Sequence, residues 1–320
     1  MTAKTLHPLP PEYKRDIPSG AAFYRMNGLL SSSRLNTICV SGKCPNRGEC
    51  FSRGSLAFMI LGDTCTRRCS FCAVKTGNPR GAVDNGEPER LARAAAELKL
   101  RHAVVTSVTR DDLPDGGASV FASCIRALHE RVPGITVEVL TPDFNGNLTA
   151  VDAVLDARPE IYNHNIETVE RLSARIRSHA DYHRSLTILR YVKESLTRPS
   201  ATESSADANV PMASATLSPR EREGVRLKMK TKSGLMLGLG ETSDEIFRTL
   251  KDLREAGCDY LTIGQYLRPS KLHLDIKRFV PISEFGRWRE EALRLGFERV
   301  ASGPLVRSSY FADQLHTGKV

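Results

Sequence analysis

The sequence predicts an α/β fold in the form of a partial or full (β/α) barrel, with extensions on both sides of it. Two observations lead to this prediction. Short apolar or β-branched segments alternate with amphipathic helical segments at least six times between residue 55 and about residue 302, a pattern typical of a parallel sheet covered by helices. A cysteine motif directly follows the first predicted strand, and barrels carry their chemistry at that end of the strands.

Each predicted element follows from the spacing of its apolar residues. The helix over 117–131 places Val120, Cys124 and Leu128 on one face. A further helix begins at Thr242, where Glu245 completes a capping box, and Gly257 ends it. Strands are predicted at 55–61, 102–108, 135–140, 160–166, 225–239, 260–264 and 298–301. The other helices are predicted at 88–98, 148–155, 168–176, 182–196 and 283–295.

The chain divides into three predicted parts. Residues 1–54 lack clear periodicity and read as an irregular N-terminal extension shaped by whatever its cysteines bind. Residues 55–302 form the barrel, which a polar, small-residue stretch at 197–223 interrupts as a flexible surface insertion. Residues 303–320 form a C-terminal tail. A role for the insertion in binding a partner stays open.

Composition and charge narrow the class of protein. Hydrophobic residues make up 40% and charged residues 26%, and the longest strongly apolar run, at 56–61, is far below the ~20 residues needed to span a bilayer. The first 20 residues do not read as a secretory or organelle-targeting segment, so we expect a cytoplasmic protein without a membrane partner. The net charge of +9 fits either a solvated surface or an acidic partner. No long basic run is present, which disfavours nucleic acid.

Eight cysteines are present, and six of them lie between Cys39 and Cys72. A disulfide framework does not suit a chain of this size without a secretory signal, so the clustering indicates a metal centre. The two remaining cysteines, Cys124 and Cys258, are predicted to pack in the core. His164 and the other histidines lack ligand spacing and are predicted to be structural.

The strongest motif is the CxxxCxxC spacing of Cys65, Cys69 and Cys72. Three thiolates hold three irons of a four-iron cluster and leave the fourth open to a substrate. The aromatic Phe71 before the last cysteine, and the position after a strand, resemble the radical S-adenosylmethionine superfamily. The alternative is a structural zinc site, although zinc favours closed sets of four ligands.

A second triad precedes the first. Cys39, Cys44 and Cys50 form a CxxxxCxxxxxC spacing, which supplies three more thiolates. Taken alone it fits either a second iron–sulfur cluster or a zinc-stabilised extension.

The order of these motifs resembles the lipoyl synthase family. The resemblance continues through four blocks and covers residues 35–312: TSVTRDDLPDGG (106–117), YNHNIET (162–168), TKSGLMLGLGE (231–241) and RSSY (307–310). It implies a barrel of the radical S-adenosylmethionine type. The auxiliary triad comes before the radical motif, which disfavours the alternative of a methylthio-transferring or biotin-forming enzyme with two clusters.

The resemblance also implies a role for individual residues. Cys65, Cys69 and Cys72 would bind the [4Fe-4S] cluster that cleaves S-adenosylmethionine. Cys39, Cys44 and Cys50, together with Ser309, would bind an auxiliary [4Fe-4S] cluster. A serine oxygen is a poor ligand for such a cluster, which suits a cluster that is dismantled as a sulfur source.

By the same resemblance, Asn165 and Glu167 would bind the ribose of S-adenosylmethionine. A period of two places both side chains on one face at the end of the predicted strand, and the alternative is that they only cap the strand end. Asp111, Asp112 and Asp115 either contact the amino group of that cofactor or shape the turn. The basic side chains at positions 226, 228, 230 and 232 form one face of a strand, and solvation is favoured for the first two.

The implied reaction inserts sulfur at C6 and C8 of an octanoyl chain on a lysine of a carrier protein. Two molecules of S-adenosylmethionine each provide a radical that removes one hydrogen atom, a step beyond acid–base chemistry. The implied partners are the octanoylated lipoyl-carrier domains of 2-oxoacid dehydrogenase E2 subunits and the glycine cleavage H protein, together with a low-potential electron donor.

Overall fold

The computed structural model describes residues 10–15, 19–196 and 229–319. The predicted insertion at 197–223 and the first residues of the strand predicted from position 225 lie outside the described residues. Within them, no helix has both the length and the apolar character needed to cross a membrane.

Seven parallel strands form the centre of the fold. They belong to an eight-stranded sheet of order β1-β2-β5-β6-β7-β8-β9-β10, in which only β1 is antiparallel to its neighbour. The strands of the structure are β1 Asn36–Thr37, β2 Ala57–Ile60, β3 Thr64–Cys65, β4 Lys75–Thr76, β5 His102–Ser107, β6 Thr136–Leu140, β7 Ile161–Asn163, β8 Lys230–Leu237, β9 Tyr260–Gln265 and β10 Arg299–Gly303. The strands β3 and β4 form a separate pair. The prediction of a partial α/β barrel is confirmed.

The helices of the described residues are α1 Ala21–Ser32, α2 Ile38–Ser41, α3 Arg47–Ser52, α4 Glu87–Glu97, α5 Ala118–Arg131, α6 Leu148–Asp156, α7 Glu170–Ile176, α8 Tyr182–Ser195, α9 Ser243–Glu255, α10 Ile282–Arg294 and α11 Ala312–Thr317. The helices α4 to α10 connect the parallel strands. The predicted capping box of α9 is present: Glu245 N–H donates to Thr242 Oγ1 at 3.3 Å, and Thr242 N–H donates to Glu245 Oε2 at 2.8 Å. Gly257 follows α9 with a φ of 80°, as a helix-ending glycine does.

The strands β2 and β5 show why this sequence forms a buried parallel sheet. All four residues of β2 are buried, and the central residues of β5 are buried too. Parallel strands covered on both faces consist of nearly continuous apolar residues, which matches both segments. The predicted core residues Cys124 and Cys258 are fully buried, so their packing role is confirmed.

The barrel also encloses a charged pair. Lys232 Nζ lies 2.8 Å from Glu138 Oε1, and both side chains are almost completely buried. Lys230 lies two residues before Lys232 on the same strand. Its Nζ is 2.7 Å from Glu298 Oε2, and both side chains are partly exposed. The predicted basic face therefore divides between the interior and the surface within two residues.

The expectation that residues 1–54 are irregular was wrong for the part from residue 19 to residue 54 that the structure describes. The helix α1 packs Phe23, Met26 and Leu30 onto the main core. These apolar residues follow helical spacing, but Gly28 and the exposed Tyr24 interrupt the pattern, so sequence periodicity underestimates the helix. The division of the chain into three parts stays a prediction.

The last helix closes one side of the barrel. Leu315 of α11 packs in a small buried cluster with Ile161 of β7, Tyr260 of β9 and Ala301 of β10. The ring of His316, next along α11, lies 6.1 Å from the ring of His102 on β5. The helix therefore fits against strands near both edges of the open sheet, and it fixes the segment that precedes it.

Candidate functional site

A cavity of about 600 Å³ opens at the carboxyl ends of the barrel strands, a size typical of small-molecule sites. Most of the site residues predicted from sequence line it: Cys39, Cys44, Cys65, Cys69, Cys72, Asn165, Glu167 and Ser309. Cys50 is the one predicted cluster ligand that does not line the cavity. Five of the six cysteines of the two triads, which are separate in sequence, therefore face one space.

The first predicted cluster motif, the radical triad of Cys65, Cys69 and Cys72, begins at the end of β3 and continues on the loop between β3 and β4. Cys65 ends β3, and its Sγ accepts hydrogen bonds from the backbone N–H groups of Arg67 at 3.4 Å and Thr109 at 3.3 Å. Two backbone donors aimed at one sulfur fix the position of that sulfur. This orientation suits a cluster ligand.

The same loop is held from two sides. Ser70 N–H donates to the Ile176 carbonyl oxygen at 3.0 Å, at the end of α7. On the other side His273 Nε2 lies 3.0 Å from the carbonyl oxygen of Cys72 and its Nδ1 lies 2.8 Å from Ser270 Oγ. His273 was not predicted to hold this loop, because nothing in its spacing relates it to a cysteine 201 residues earlier.

Arg67, inside the motif, anchors the loop to the barrel. Its guanidinium pairs with Asp111 at 2.9 Å and with Asp143 at 2.7 Å, and its side chain is only 4% exposed. Burial alone would raise the pKa of Asp143, but the Arg67 guanidinium holds that pKa at about 2. Asp111 thus positions the cluster loop and does not line the cavity.

The other two acidic candidates shape the turn after β5. Asp112 pairs with Arg110 at 2.7 Å and accepts from Gly81 N–H at 2.8 Å. Asp115 accepts from the backbone N–H groups of Gly117 and Ser119 at 2.9 and 2.8 Å, at the start of α5. Of the two functions left open for these residues, the contacts favour the structural one.

The auxiliary triad lies on two short helices that precede the barrel. Cys39 is on α2, where its N–H donates to the Thr37 side chain at 3.2 Å. Cys44 follows α2 and bonds back to the Cys39 carbonyl oxygen at 3.1 Å, while Cys50 is on α3. Short helices with tight connections bring the three thiols to one side of the extension.

The donor set fits iron–sulfur clusters. Burial, assisted by the other thiols of each triad, raises the pKa of Cys50 and Cys72 to about 12. Groups of thiols that resist ionisation in this way need a metal centre to release their protons. In the described residues no three His, Cys, Asp or Glu side chains converge to hold a single metal ion, whereas a four-iron cluster separates its ligands around a larger body.

Asn165 and Glu167 meet beside the triad, although not as part of a strand. The strand β7 ends at Asn163, and Glu167 has a φ of 64°. Asn165 Nδ2 still donates to Glu167 Oε1 at 3.0 Å. Burial raises the pKa of Glu167, and the nearby Arg177 opposes that rise. The amide oxygen of Asn165 and the second carboxylate oxygen of Glu167 are acceptors to which the two hydroxyls of a ribose diol can donate.

The C-terminal segment forms part of the cavity wall and contacts α3. Ser309 lines the cavity, and its neighbour Tyr310 donates to Glu49 Oε2 on α3 at 3.0 Å. Asn46 Nδ2, at the start of α3, donates to the Leu305 carbonyl oxygen at 2.6 Å. These contacts join the tail to the helix that carries Cys50.

Two further groups of this site were missed from sequence. Tyr13 is buried, lines the cavity and donates to the Val280 carbonyl oxygen at 2.8 Å. Arg307 also lines the cavity, and its positive charge lowers the pKa of Cys44 against the dominant effect of burial. The RSSY block contains Arg307 and was the available signal, whereas Tyr13 lies in a segment without a motif.

His164 is structural, as predicted. It is buried between two contacts, with Nδ1 2.9 Å from the Thr141 carbonyl oxygen and Nε2 3.0 Å from Ser185 Oγ. Burial lowers its pKa to about 4. A neutral imidazole therefore supports the floor of the cavity at neutral pH.

Comparison with known proteins gives a consistent result. The sequence profile of the Radical SAM superfamily matches residues 59–204. A lipoyl synthase of Caldanaerobacter subterraneus subsp. tengcongensis is 50% identical over 289 residues, which are 90% of each chain. A lipoyl synthase of Thermus thermophilus is 48% identical over 94% of this chain and 84% of its own. A mitochondrial lipoyl synthase of Nematostella vectensis is 42% identical over 96% of this chain and 94% of its own.

A solved structure supports the fold alone. The FeFe-hydrogenase maturase HydG of Carboxydothermus hydrogenoformans superposes with a TM-score of 0.50 at 12% identity, over 76% of this chain and 52% of its own.

Proposed function

The chain belongs to the lipoyl synthase family of radical S-adenosylmethionine enzymes, and on that premise we propose which residues perform its reaction. The family's reaction inserts two sulfur atoms into an octanoyl chain on a carrier protein, and it uses S-adenosylmethionine and [4Fe-4S] clusters. One observation carries the assignment: five of the six triad cysteines, the Asn165–Glu167 pair and Ser309 face a single cavity.

We assign Cys65, Cys69 and Cys72 to the cluster that cleaves S-adenosylmethionine, and Asn165 with Glu167 to its ribose. When bound, these groups supply the radical that removes hydrogen from unactivated carbon. The loop contacts of Arg67 and the Cys65 sulfur support the assignment, because they fix the ligands on the rigid barrel.

We assign Cys39, Cys44, Cys50 and Ser309 to the auxiliary cluster, the sulfur source. The contacts of the tail with α3 support this assignment, since they hold residues 305–310 against the helix of Cys50. An oxygen ligand binds iron–sulfur clusters less well than thiolate, so Ser309 would hold its iron more weakly than the three cysteines would hold theirs.

The protein's contribution is positioning and exclusion of water. Apolar side chains such as Phe71, Met236 and Ile276 line the cavity with the polar groups and provide a path for an octanoyl chain. We propose the E2 subunits of 2-oxoacid dehydrogenases and the glycine cleavage H protein as carriers, with a low-potential electron donor. The cytoplasmic location stays a prediction.

The test uses reconstituted protein with an octanoylated carrier domain, S-adenosylmethionine and a reductant under anaerobic conditions. We expect 5′-deoxyadenosine and a mass gain of two sulfurs on the carrier. Ser309→Ala should abolish the sulfur gain. The control is Ser302→Ala, because Ser302 donates at 2.8 Å to the Phe285 carbonyl oxygen outside the cavity. Full sulfur insertion by Ser309→Ala would contradict the ligand assignment.

A further inference from the structure

The first serine of the RSSY block contacts the residue assigned to the cofactor. Asn165 Nδ2 donates to Ser308 Oγ at 2.7 Å, and Ser308 Oγ lies 3.0 Å from Asn165 Oδ1, to which it donates. The pair joins positions 143 residues apart. Together with the bond from Nδ2 to Glu167, it fixes the orientation of the Asn165 amide.

The barrel leaves space for this pair. A Cβ at Gly234 of β8 would lie 2.7 Å from Asn165 Oδ1 and 2.8 Å from Ser308 Oγ, closer than real side chains approach. On the neighbouring strand, a Cβ at Gly264 would lie 2.1 Å from the Val306 carbonyl oxygen. Two adjacent strands thus carry glycine where the tail crosses them, and the tail packs directly on their backbones.

The two residues that follow Ser308 connect it to the proposed auxiliary-cluster site. Ser309 follows directly and carries the proposed ligand oxygen, and Tyr310 is bound to α3 beside Cys50. Ser308 and Ser309 are joined by one peptide bond. A displacement of Ser308 away from Asn165 therefore also moves the backbone of Ser309.

We propose that Ser308 is a positioning residue that couples the S-adenosylmethionine site to the auxiliary cluster through its hydrogen bonds with Asn165. Ligation of Ser309 holds Ser308 against Asn165 and orients the amide toward the ribose. Occupancy of the ribose site in turn holds Ser309 at the cluster, since coupling between two sites is reciprocal. This inference rests on the proposed roles of Asn165 and Ser309.

The coupling sets the size of the expected effect. A hydrogen bond of this kind changes affinity by about 3- to 10-fold. Loss of the auxiliary cluster through Cys50→Ala should weaken S-adenosylmethionine binding by that factor, although Cys50 does not line the cavity. Ser308→Ala should weaken binding similarly, and adding Cys50→Ala to it should have no further effect, because residues that act through one contact are not additive.

The experiment measures the dissociation constant of S-adenosylmethionine by equilibrium dialysis in the four proteins of this cycle, with the radical cluster loaded in each. The second readout is the Mössbauer spectrum of the auxiliary cluster. It should respond to S-adenosylmethionine in the unmodified protein and not in Ser308→Ala. Ser302→Ala is the matched control and should behave as the unmodified protein does.

Gly234→Ala provides an independent disruption, because its methyl group separates Asn165 from Ser308 while every polar group stays. If Ser308→Ala does not load its clusters, the same dissociation constants and spectra are measured for Gly234→Ala. The proposal holds if the affinity falls, the cycle is non-additive and the spectral response is lost. It is overturned if affinity is unchanged, if the effects of Ser308→Ala and Cys50→Ala add, or if the response persists. These are binding measurements, so they fail separately from the sulfur-insertion test of Ser309.

Discussion

Replacement of the buried Lys232 tests how much the barrel depends on its internal charge pair. Lys232→Met keeps the aliphatic stem of the side chain but leaves Glu138 without its main partner, at a site where both side chains are at most 1% exposed. Removal of one member of a buried ion pair costs about 3–5 kcal/mol. We therefore expect the free energy of unfolding to fall by about that amount.

The pKa of Glu138 gives a second route to the same magnitude. Burial would raise this pKa, but Lys232 and His102 hold it near 2 against an ordinary value of 4.5. At 1.36 kcal/mol per unit, the difference corresponds to about 3 kcal/mol. Since the folded pKa is depressed, this stabilisation is complete above pH 4.5 and is lost as the pH falls toward 2.

Urea denaturation of the anaerobic, cluster-loaded protein is the assay. With a slope of about 3 kcal/mol per molar, the midpoint should fall by about 1 M. Lys230→Met is the matched control, because its pair with Glu298 is partly exposed and such pairs contribute at most about 1 kcal/mol. Glu138→Gln added to Lys232→Met should recover most of the loss. Equal midpoints for the two lysine variants would refute the reasoning.

Three further predictions concern the site. Cys44→Ala should keep about four of about eight irons and still form 5′-deoxyadenosine, but without sulfur insertion. Cys69→Ala should form neither 5′-deoxyadenosine nor the sulfur-containing product. Iron analysis and product assays test both variants, and sulfur transfer by Cys44→Ala would contradict the prediction. The pKa of His164 lies near 4 instead of 6.5, so the unfolded state alone takes up a proton as the pH falls below 6.5. The free energy of unfolding should then fall by about 2 kcal/mol between pH 6.5 and 5, a slope that His164→Gln should remove in urea titrations. Gly264→Ala would push the tail away from β9, so we expect sulfur insertion to fall at least about 10-fold. Gly286→Ala is the control, because open space surrounds the added Cβ. It should add about 0.5–1 kcal/mol to helix stability and keep the activity.

Local sequence patterns predicted the barrel because its elements depend on local periodicity. The strand at 102–108 and the helix at 117–131 appear in the structure within about one residue, as His102–Ser107 and Ala118–Arg131. Their apolar residues repeat regularly, and glycines lie near both ends of the helix. The helix α11 has only six residues, too few for a periodic pattern, and it is held by contacts with distant strands.

Candidate site residues could be named from sequence where a motif suggests its own chemistry. The spacing of Cys65, Cys69 and Cys72 predicts a cluster without a structure, and the fold places all three at the cavity. The partners that hold them, such as His273 on the Cys72 carbonyl oxygen, depend on how distant loops pack. The pairing of Ser308 with Asn165 was inaccessible for the same reason, because only the folded barrel brings these positions together.

The contacts that assemble the auxiliary site span nearly the whole described chain. Asn46 and Leu305 are 259 positions apart, Tyr310 and Glu49 are 261 apart, and Tyr13 and Val280 are 267 apart. Loop-closure entropy delays such pairings until the intervening chain is ordered. We therefore expect the radical triad, enclosed within one early βα segment, to be complete well before the auxiliary triad meets Ser309. During biogenesis the two centres would become competent to receive iron at different times, the sulfur donor last.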